Sequence, residues 1–249
     1  MSTMEQTTST QSRRIVVTGG SSGIGLGIVR RLLADGNAVH VLDKKTGEQW
    51  RIDAGPLADA AVYHCADLAD IPAALAALAQ AVERMRGIDV LINNAGVMKF
   101  ENAHEATGPS VRSQLAINLE APIHLSAVAI ASMLRSETGG HILNIASVAG
   151  LKAAPKLAVY NATKAGLIHY TRSLAAEYAS RRIRANAICP GAVETGLANR
   201  VMFAMIQKGV PLGRLQTVEE VASLAAWLIS EDARNVTGSV YSLDGGMSL

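Results

Sequence analysis

Tyr160 and Lys164 stand four residues apart in a helical pattern, so their side chains share one face. A phenol has a reference pKa of about 10, too high for a good base near neutrality. An ammonium beside it stabilises the phenolate and lowers that value, which makes the pair a candidate for proton transfer. Ser147 falls just past a strand-like run, where its hydroxyl can hydrogen-bond an oxygen whose charge changes during a reaction. Each has a plainer explanation when taken alone. A Tyr and a Lys at this spacing are commonly a surface pair, Ser147 could begin a loop, and Asn118 could mark a bend or cap in its helix.

A second constellation precedes them. Thr18-Gly19-Gly20-Ser21-Ser22-Gly23-Ile24-Gly25 follows the first apolar run and opens the first helical pattern. Such a turn brings backbone N–H groups and the positive end of a helix to a pyrophosphate. A Cβ at Gly19 or Gly25 would obstruct that approach or the packing of helix on strand. A plain tight turn is the alternative, and the position between strand and helix favours the phosphate reading. Asp43 ends the second strand-like run, where an acid can accept hydrogen bonds from the ribose hydroxyls of an adenosine. A carboxylate there repels a 2′-phosphate and favours NAD over NADP. Lys44 and Lys45 follow directly, and either could pair with a phosphate or simply belong to a solvated turn.

The elements that must position these residues are legible as an alternation. Short apolar runs at 13–18, 38–42, 61–65, 88–92, 141–145, 183–188 and 239–243 are strand candidates. Several are apolar at nearly every position, as in strands buried on both faces of a parallel sheet. Helical patterns cover 24–34, 71–86, 109–134, 157–180 and 218–230, the last opened by a capping box of Thr217 and Glu220. The alternation predicts an α/β fold: a Rossmann-type doubly wound parallel sheet of about seven strands with helices on both faces. With no repeat and no linker, a single domain is expected over residues 13–249. Residues 194–211 break the rhythm with an apolar stretch at 201–206 and end at Pro211. They are expected to form a lid over a substrate, an ordinary surface-packed helix being the alternative.

With these motifs in this order, the chain resembles the short-chain dehydrogenase/reductase (SDR) family. Thr18 to Gly25 matches its TGxxxGxG loop, and Asn93-Asn94-Ala95-Gly96 matches its NNAG segment after the fourth strand. Asn118, Ser147, Tyr160 and Lys164 fall at the positions of its catalytic tetrad. Pro190-Gly191 with Thr195 looks like its segment beside the nicotinamide, and the resemblance runs from Arg13 to Asp244-Gly245-Gly246. It implies Tyr160 as general acid/base, Ser147 on the substrate oxygen and Lys164 on the nicotinamide ribose. It also implies that Asn118 holds a water behind Lys164, connecting the proton to solvent. The implied cofactor contacts begin with Gly19, Ser21, Ser22, Gly23 and Ile24 in the loop, then Asp43. After the third strand come Ala66, Asp67 and Leu68, with Asp67 on the adenine amino group. Asn94, Ala95 and Gly96 flank the adenosine ribose, and Tyr160, Lys164, Pro190 and Gly191 follow, with Val193 and Thr195 on the carboxamide. A homotetramer built on the helices of Asn118 and Tyr160 and on the last strand is implied as well.

The resulting expectation is an NAD-dependent oxidoreductase that transfers a hydride between a secondary alcohol or ketone and the nicotinamide. One alternative is an NADPH-dependent carbonyl or 3-oxoacyl reductase, which Asp43 opposes and Lys44 favours. Another is a non-catalytic, dinucleotide-sensing binding protein, since a fold does not establish activity. Val97, Met98, Phe100, Ala149, Leu151, Ala192 and the 201–206 stretch suggest a mostly apolar pocket for a small alcohol or ketone.

Composition narrows the remaining classes. At 249 residues, 49% hydrophobic and 18% charged, the chain can build a sizeable core and is too apolar for disorder. A net charge of +2 with scattered charges gives no basic face for nucleic acid. Cys65 and Cys189 lie far apart and are expected to be buried thiols in strands, outside any disulfide framework. His40 and His64 read as packing residues, while His104, His124, His141 and His169 have no metal spacing, so no metal is expected. Residues 1–12 are rich in Ser, Thr and Gln, which predicts a disordered tail with no signal peptide or anchor. No run of about 18 uninterrupted apolar residues predicts a spanning helix, and a cytoplasmic protein without a membrane partner is expected.

Overall fold

The computed structural model describes residues 12–136, 138–195 and 208–249. All seven expected runs are strands: β1 (Arg14–Thr18), β2 (Ala38–Asp43), β3 (Val62–Cys65), β4 (Val90–Asn93), β5 (Gly140–Ile145), β6 (Ile183–Pro190) and β7 (Val240–Leu243). They pair in parallel in the order β3-β2-β1-β4-β5-β6-β7. The order reverses between β1 and β4, so a crevice opens beyond the carboxyl ends of those two strands.

Alternate side chains feed two cores. Ile15, Val17, Val39 and Val41 join a cluster with α1 (Gly23–Ala34), α2 (Gly47–Ala54) and α7 (Val218–Ile229). Val16, Leu42, Leu91 and Ile142 join the other, with α3 (Ile71–Met85), α5 (Ala121–Ser136) and α6 (Ala158–Tyr178). Ile28, Leu32, Leu78 and Leu125 are fully buried, and each such burial contributes about 1.5–3 kcal/mol. The capping box forms as expected, with Thr217 Oγ1 accepting from the Glu220 N–H and Glu220 Oε2 from the Thr217 N–H.

A polar ladder crosses the apolar interior. Asn93 Nδ2 donates to Ser126 Oγ at 3.1 Å and to Asn144 Oδ1 at 2.8 Å. Asn144 Nδ2 donates to Thr171 Oγ1 at 2.8 Å, which in turn donates to the Leu167 carbonyl. These four side chains tie β4 and β5 to α5 and α6, and all are buried. Nearer the edge, His40 and His64 stack with centroids 5.1 Å apart and share one hydrogen bond, Nδ1 to Nε2, at 3.0 Å.

Three expectations differ from the structure. The pattern at 109–134 is not one regular helix but α4 (Gly108–Leu115), a π-helical turn (Ala116–Glu120) and α5. Pro122 supplies a reason: in an α-helix the Asn118 carbonyl would receive the N–H of residue 122, and proline has none. The whole run Gly108–Ser136 is long and apolar enough to cross a membrane by length and composition. More than half of its most apolar window is buried in this domain, and α5 packs on α3, as in a core helix. Cys65, expected to be buried, is exposed because β3 is an edge strand, whereas Cys189 in β6 is fully buried. Helix α2 was not expected at all; Thr46 caps it, and buried Trp50 anchors it by stacking on Tyr63. The tail at 1–12, save Ser12, lies outside the described residues, as do residues 196–207 of the expected lid.

Candidate active site

The glycine turn is held against β4 by side chains as well as by shape. Thr18 Oγ1 accepts from the N–H groups of Asn94 and Ala95 at 3.0 and 3.1 Å. Asn94 Nδ2 donates to the carbonyls of Thr18 and Gly19, both at 3.0 Å. Gly19 has φ +65°, and a Cβ there would lie 2.8 Å from the Ala95 Cα. A Cβ on Gly25 would lie 2.1 Å from the Gly19 carbonyl oxygen. Ser22 precedes α1 without capping it through its side chain, and no acid occupies the first turn. The result, among the described residues, is a helix start that no side-chain cap occupies, under a close-packed backbone turn, a fit for a dinucleotide pyrophosphate.

At the adenosine side, Asp43 Oδ2 accepts from the Ser21 N–H at 3.1 Å and from Ser21 Oγ at 2.6 Å. Lys45, two residues on, pairs with Asp53 at 2.8 Å, while Lys44 is exposed and has no ion pair among the described residues. Asp67 is exposed after β3, with Oδ1 accepting from the Ala69 N–H, and Ala66 and Leu68 beside it are buried. Thr195 reaches the turn from the other side, its methyl lying 3.4 Å from where a Gly23 Cβ would be. The Gly191–Val193 stretch is fixed by the Gly191 N–H to the Leu243 carbonyl and by a bridge from Val193 to Gln216.

Across the crevice, α6 carries Tyr160 and Lys164. The Lys164 ammonium sits 5.8 Å from the Tyr160 ring centroid and donates to the Ile145 carbonyl at 2.9 Å. Burial pushes Lys164 down to about 8. Burial also raises Tyr160, and a hydrogen bond with Ser147 pulls it back. The Ser147 hydroxyl thus favours the phenolate against the burial that opposes it, with the Lys164 ammonium standing over the same ring. The Ser147 hydroxyl accepts from the Ala149 N–H at 3.1 Å, opening a 3-10 turn after β5.

Asn118 lies behind these groups, fully buried in the π-helical turn. Its amide clamps Val97 from both sides, Oδ1 accepting from the N–H and Nδ2 donating to the carbonyl, each at 2.8 Å. Nδ2 also donates to Thr163 Oγ1, which donates onward to the Tyr160 carbonyl. Gly96 leaves room here, since its Cβ would stand 3.4 Å from both Asn118 Oδ1 and Lys164 Nζ.

The start of α1, Asn94 and Gly96, the Ser147, Tyr160 and Lys164 group and Pro190-Gly191 share one cleft of about 190 Å³, whose lining does not include Asn118, Asp43, Asp67, Val193 or Thr195. Ile24, Asn94, Gly96, Ser147, Tyr160, Lys164, Pro190 and Gly191, all anticipated, line it. So do Val97 and Met98, but Phe100, Ala149, Leu151 and Ala192 do not. Ile145 and Ala146 were missed; the role of Ile145 is carried by a backbone carbonyl, which no side-chain pattern reveals. Thr163 was missed too, although its place between Tyr160 and Lys164 was a signal.

A family model described as enoyl-(acyl carrier protein) reductase matches residues 19–248. The chain is 34% identical over 248 residues to 2-(S)-hydroxypropyl-CoM dehydrogenase 3 of Xanthobacter autotrophicus, covering 94% of this chain and 96% of that one. The chain belongs to the short-chain dehydrogenase/reductase family. This SDR is also 33% identical to D-beta-hydroxybutyrate dehydrogenase of Rhizobium meliloti, over 94% of its own length and 98% of that protein's. Among solved structures, the SDR resembles 3-ketoacyl-(acyl-carrier-protein) reductase from Brucella melitensis complexed with NADH. The TM-score is 0.89 at 31% identity, covering 94% of this chain and 98% of that one. It is an oxidoreductase of a family that binds a nicotinamide dinucleotide.

Proposed function

We propose that this SDR transfers a hydride between a secondary alcohol or ketone and NAD, with Tyr160 as general acid/base. The observation that carries the reading is the shared cleft, in which Tyr160, Ser147 and Lys164 face the ends of the glycine turn and of the Pro190-Gly191 stretch. When bound, the nicotinamide supplies the hydride acceptor or donor. Gly19, Ser21, Ser22, Gly23 and Ile24 hold the pyrophosphate side, and Asp43 takes the adenosine ribose. Ala66, Asp67 and Leu68 receive the adenine, Asn94, Ala95 and Gly96 flank the ribose, and Pro190, Gly191, Val193 and Thr195 border the carboxamide. In oxidation, Tyr160 Oη takes the hydroxyl proton of the substrate, and in reduction it returns one. Ser147 hydrogen-bonds the same oxygen and favours the phenolate. Lys164, held at the Ile145 carbonyl, keeps a cation beside the base and meets the nicotinamide ribose. Asn118 positions Val97 and, through Thr163, the start of α6, and completes the proton path to solvent.

The apolar lining by Ile24, Val97, Met98 and Ile145 supports a small, mostly apolar substrate. The test is Tyr160→Phe. It leaves NAD affinity within about twofold and removes turnover, because one oxygen is lost and the packing stays. Full activity in that variant would sink the mechanism, and a wild type that binds NAD but turns over no alcohol or ketone would point to the sensing role.

NADPH-dependent carbonyl or 3-oxoacyl reduction is a second reading, favoured by exposed Lys44 beside Asp43. A calorimetric comparison of NAD and NADP binding decides between them. For assembly we propose a homotetramer through the α4–α5 helices, where Leu115 and Ile123 are exposed, through α6 and through the β7 edge near Trp227. Sedimentation as a monomer alone would refute it. A cytoplasmic setting suits the two free thiols, Cys65 and Cys189.

A further inference from the structure

Two lysines follow the carboxylate that selects against a 2′-phosphate, and the fold treats them differently. The Lys45 N–H lies 3.4 Å from Asp43 Oδ1, so its side chain starts beside the ribose-side carboxylate. It does not stay there. Lys45 Nζ turns to Asp53 on α2, 2.8 Å from Oδ2. Gln49, one turn earlier on the same helix, donates Nε2 to Asp53 Oδ1 at 3.0 Å, so both carboxylate oxygens are engaged. The backbone under the lysine is pinned as well, because the Tyr63 hydroxyl contacts the carbonyl oxygens of Asp43 and Lys45 at 3.1 and 2.6 Å. Trp50 stacks on Tyr63 at 5.2 Å and fixes α2 against that hydroxyl. Both members of the ion pair are partly sheltered, with side-chain exposures of 33% for Lys45 and 25% for Asp53.

We propose that Asp53 is a specificity-determining residue for the dinucleotide: by holding Lys45 it withholds from a ribose 2′-phosphate the cation that stands two residues beyond Asp43. The proposal rests on the reading of Asp43 as the ribose-side carboxylate. Its physical content is a competition for one ammonium. A lysine head is a compact point charge on a flexible stem, so it pairs with whichever oxyanion lies within reach. With Asp53 present, a phosphate must displace a carboxylate already bonded to it. Without Asp53, the same stem is free to meet the phosphate and offset the repulsion from Asp43.

The test is calorimetric titration of the full chain with NAD and with NADP, for the wild type, Asp53→Ala and the double variant Lys45→Ala/Asp53→Ala. Asp53→Ala is expected to raise NADP affinity relative to NAD about tenfold, by an amount that shrinks as salt is added. The double variant is expected to return to the wild-type ratio. Asp53→Asn keeps the side-chain shape and an acceptor for Gln49, and it is expected to move the ratio in the same direction should Asp53→Ala not fold. An unchanged ratio overturns the proposal, including the case where a loosened α2 weakens both cofactors alike. A gain that survives in the double variant also overturns it, because Lys45 is then not the cation that meets the phosphate. Wild-type preference for NADP overturns the reading of Asp43 instead, and the role of Asp53 is then decided by whether its variants shift the ratio.

Discussion

Replacing His40 with Gln tests whether the stacked histidine pair makes the fold acid-sensitive. Burial, the facing His64 ring and Arg84 together push His40 down to about 4 from 6.5, and burial and Arg84 lower His64 as well. The folded state therefore resists a proton that the unfolded chain accepts. Stability is complete above 6.5, falls as pH drops below that value, and reaches its full loss once pH passes about 4. Integrated between pH 7 and pH 5, a depression of this size removes about 2 kcal/mol, a sizeable share of the ~5–15 kcal/mol that holds a domain together. The assay is urea unfolding of wild type and His40→Gln at both pH values, followed by circular dichroism. Groups outside the pair cancel between the two proteins, whereas His64, bonded to His40 at 3.0 Å, does not, so the difference of differences reports the histidine pair as a unit. Wild type should lose about 2 kcal/mol more than the variant over this interval. Equal losses would refute the reasoning, because the buried pair would then take a proton as readily as the open chain.

Two further outcomes follow from the site. Gly25→Ala places a methyl 2.1 Å from the Gly19 carbonyl oxygen and 2.5 Å from Asn94 Nδ2, forcing the turn off β4. A loss of about 1–3 kcal/mol in thermal unfolding is expected, with weaker NAD binding, and an unchanged melting point with unchanged affinity would contradict it. Ser147→Ala should lower kcat/KM by about 10²–10³ while NAD binding holds. Because Ser147 lowers the Tyr160 pKa, its loss should also move the rise of alcohol oxidation to higher pH, and a profile that stays in place would separate Ser147 from the base.

The sheet was legible because strands buried on both faces must be apolar at nearly every position, as Ile15 to Val17 and Val90 to Ile92 are. Which strand lies at the edge is decided by pairing, and so the exposure of Cys65 was not legible. Helix α2 was missed because its sequence is mostly polar and its stability comes from Trp50 meeting Tyr63, a contact between distant segments. The break before α5 was written in Pro122, though the apolar periodicity on either side concealed it. In the site, side-chain spacing announced Tyr160, Lys164 and Ser147. The Ile145 carbonyl and the orientation of Lys45 depend on where the backbone runs, and residue types alone do not record that.

The ladder of Asn93, Ser126, Asn144 and Thr171 restricts how the sequence can drift. Any one of the four changed to an apolar residue strands its neighbour in the interior, at a cost of about 1–3 kcal/mol for each orphaned group. Changing them together to shape-matched apolar side chains removes the orphans and most of that cost. The intermediate steps are the obstacle, not the destination. The four positions therefore behave as a single heritable unit, separated from an apolar alternative by a valley that one substitution at a time must cross.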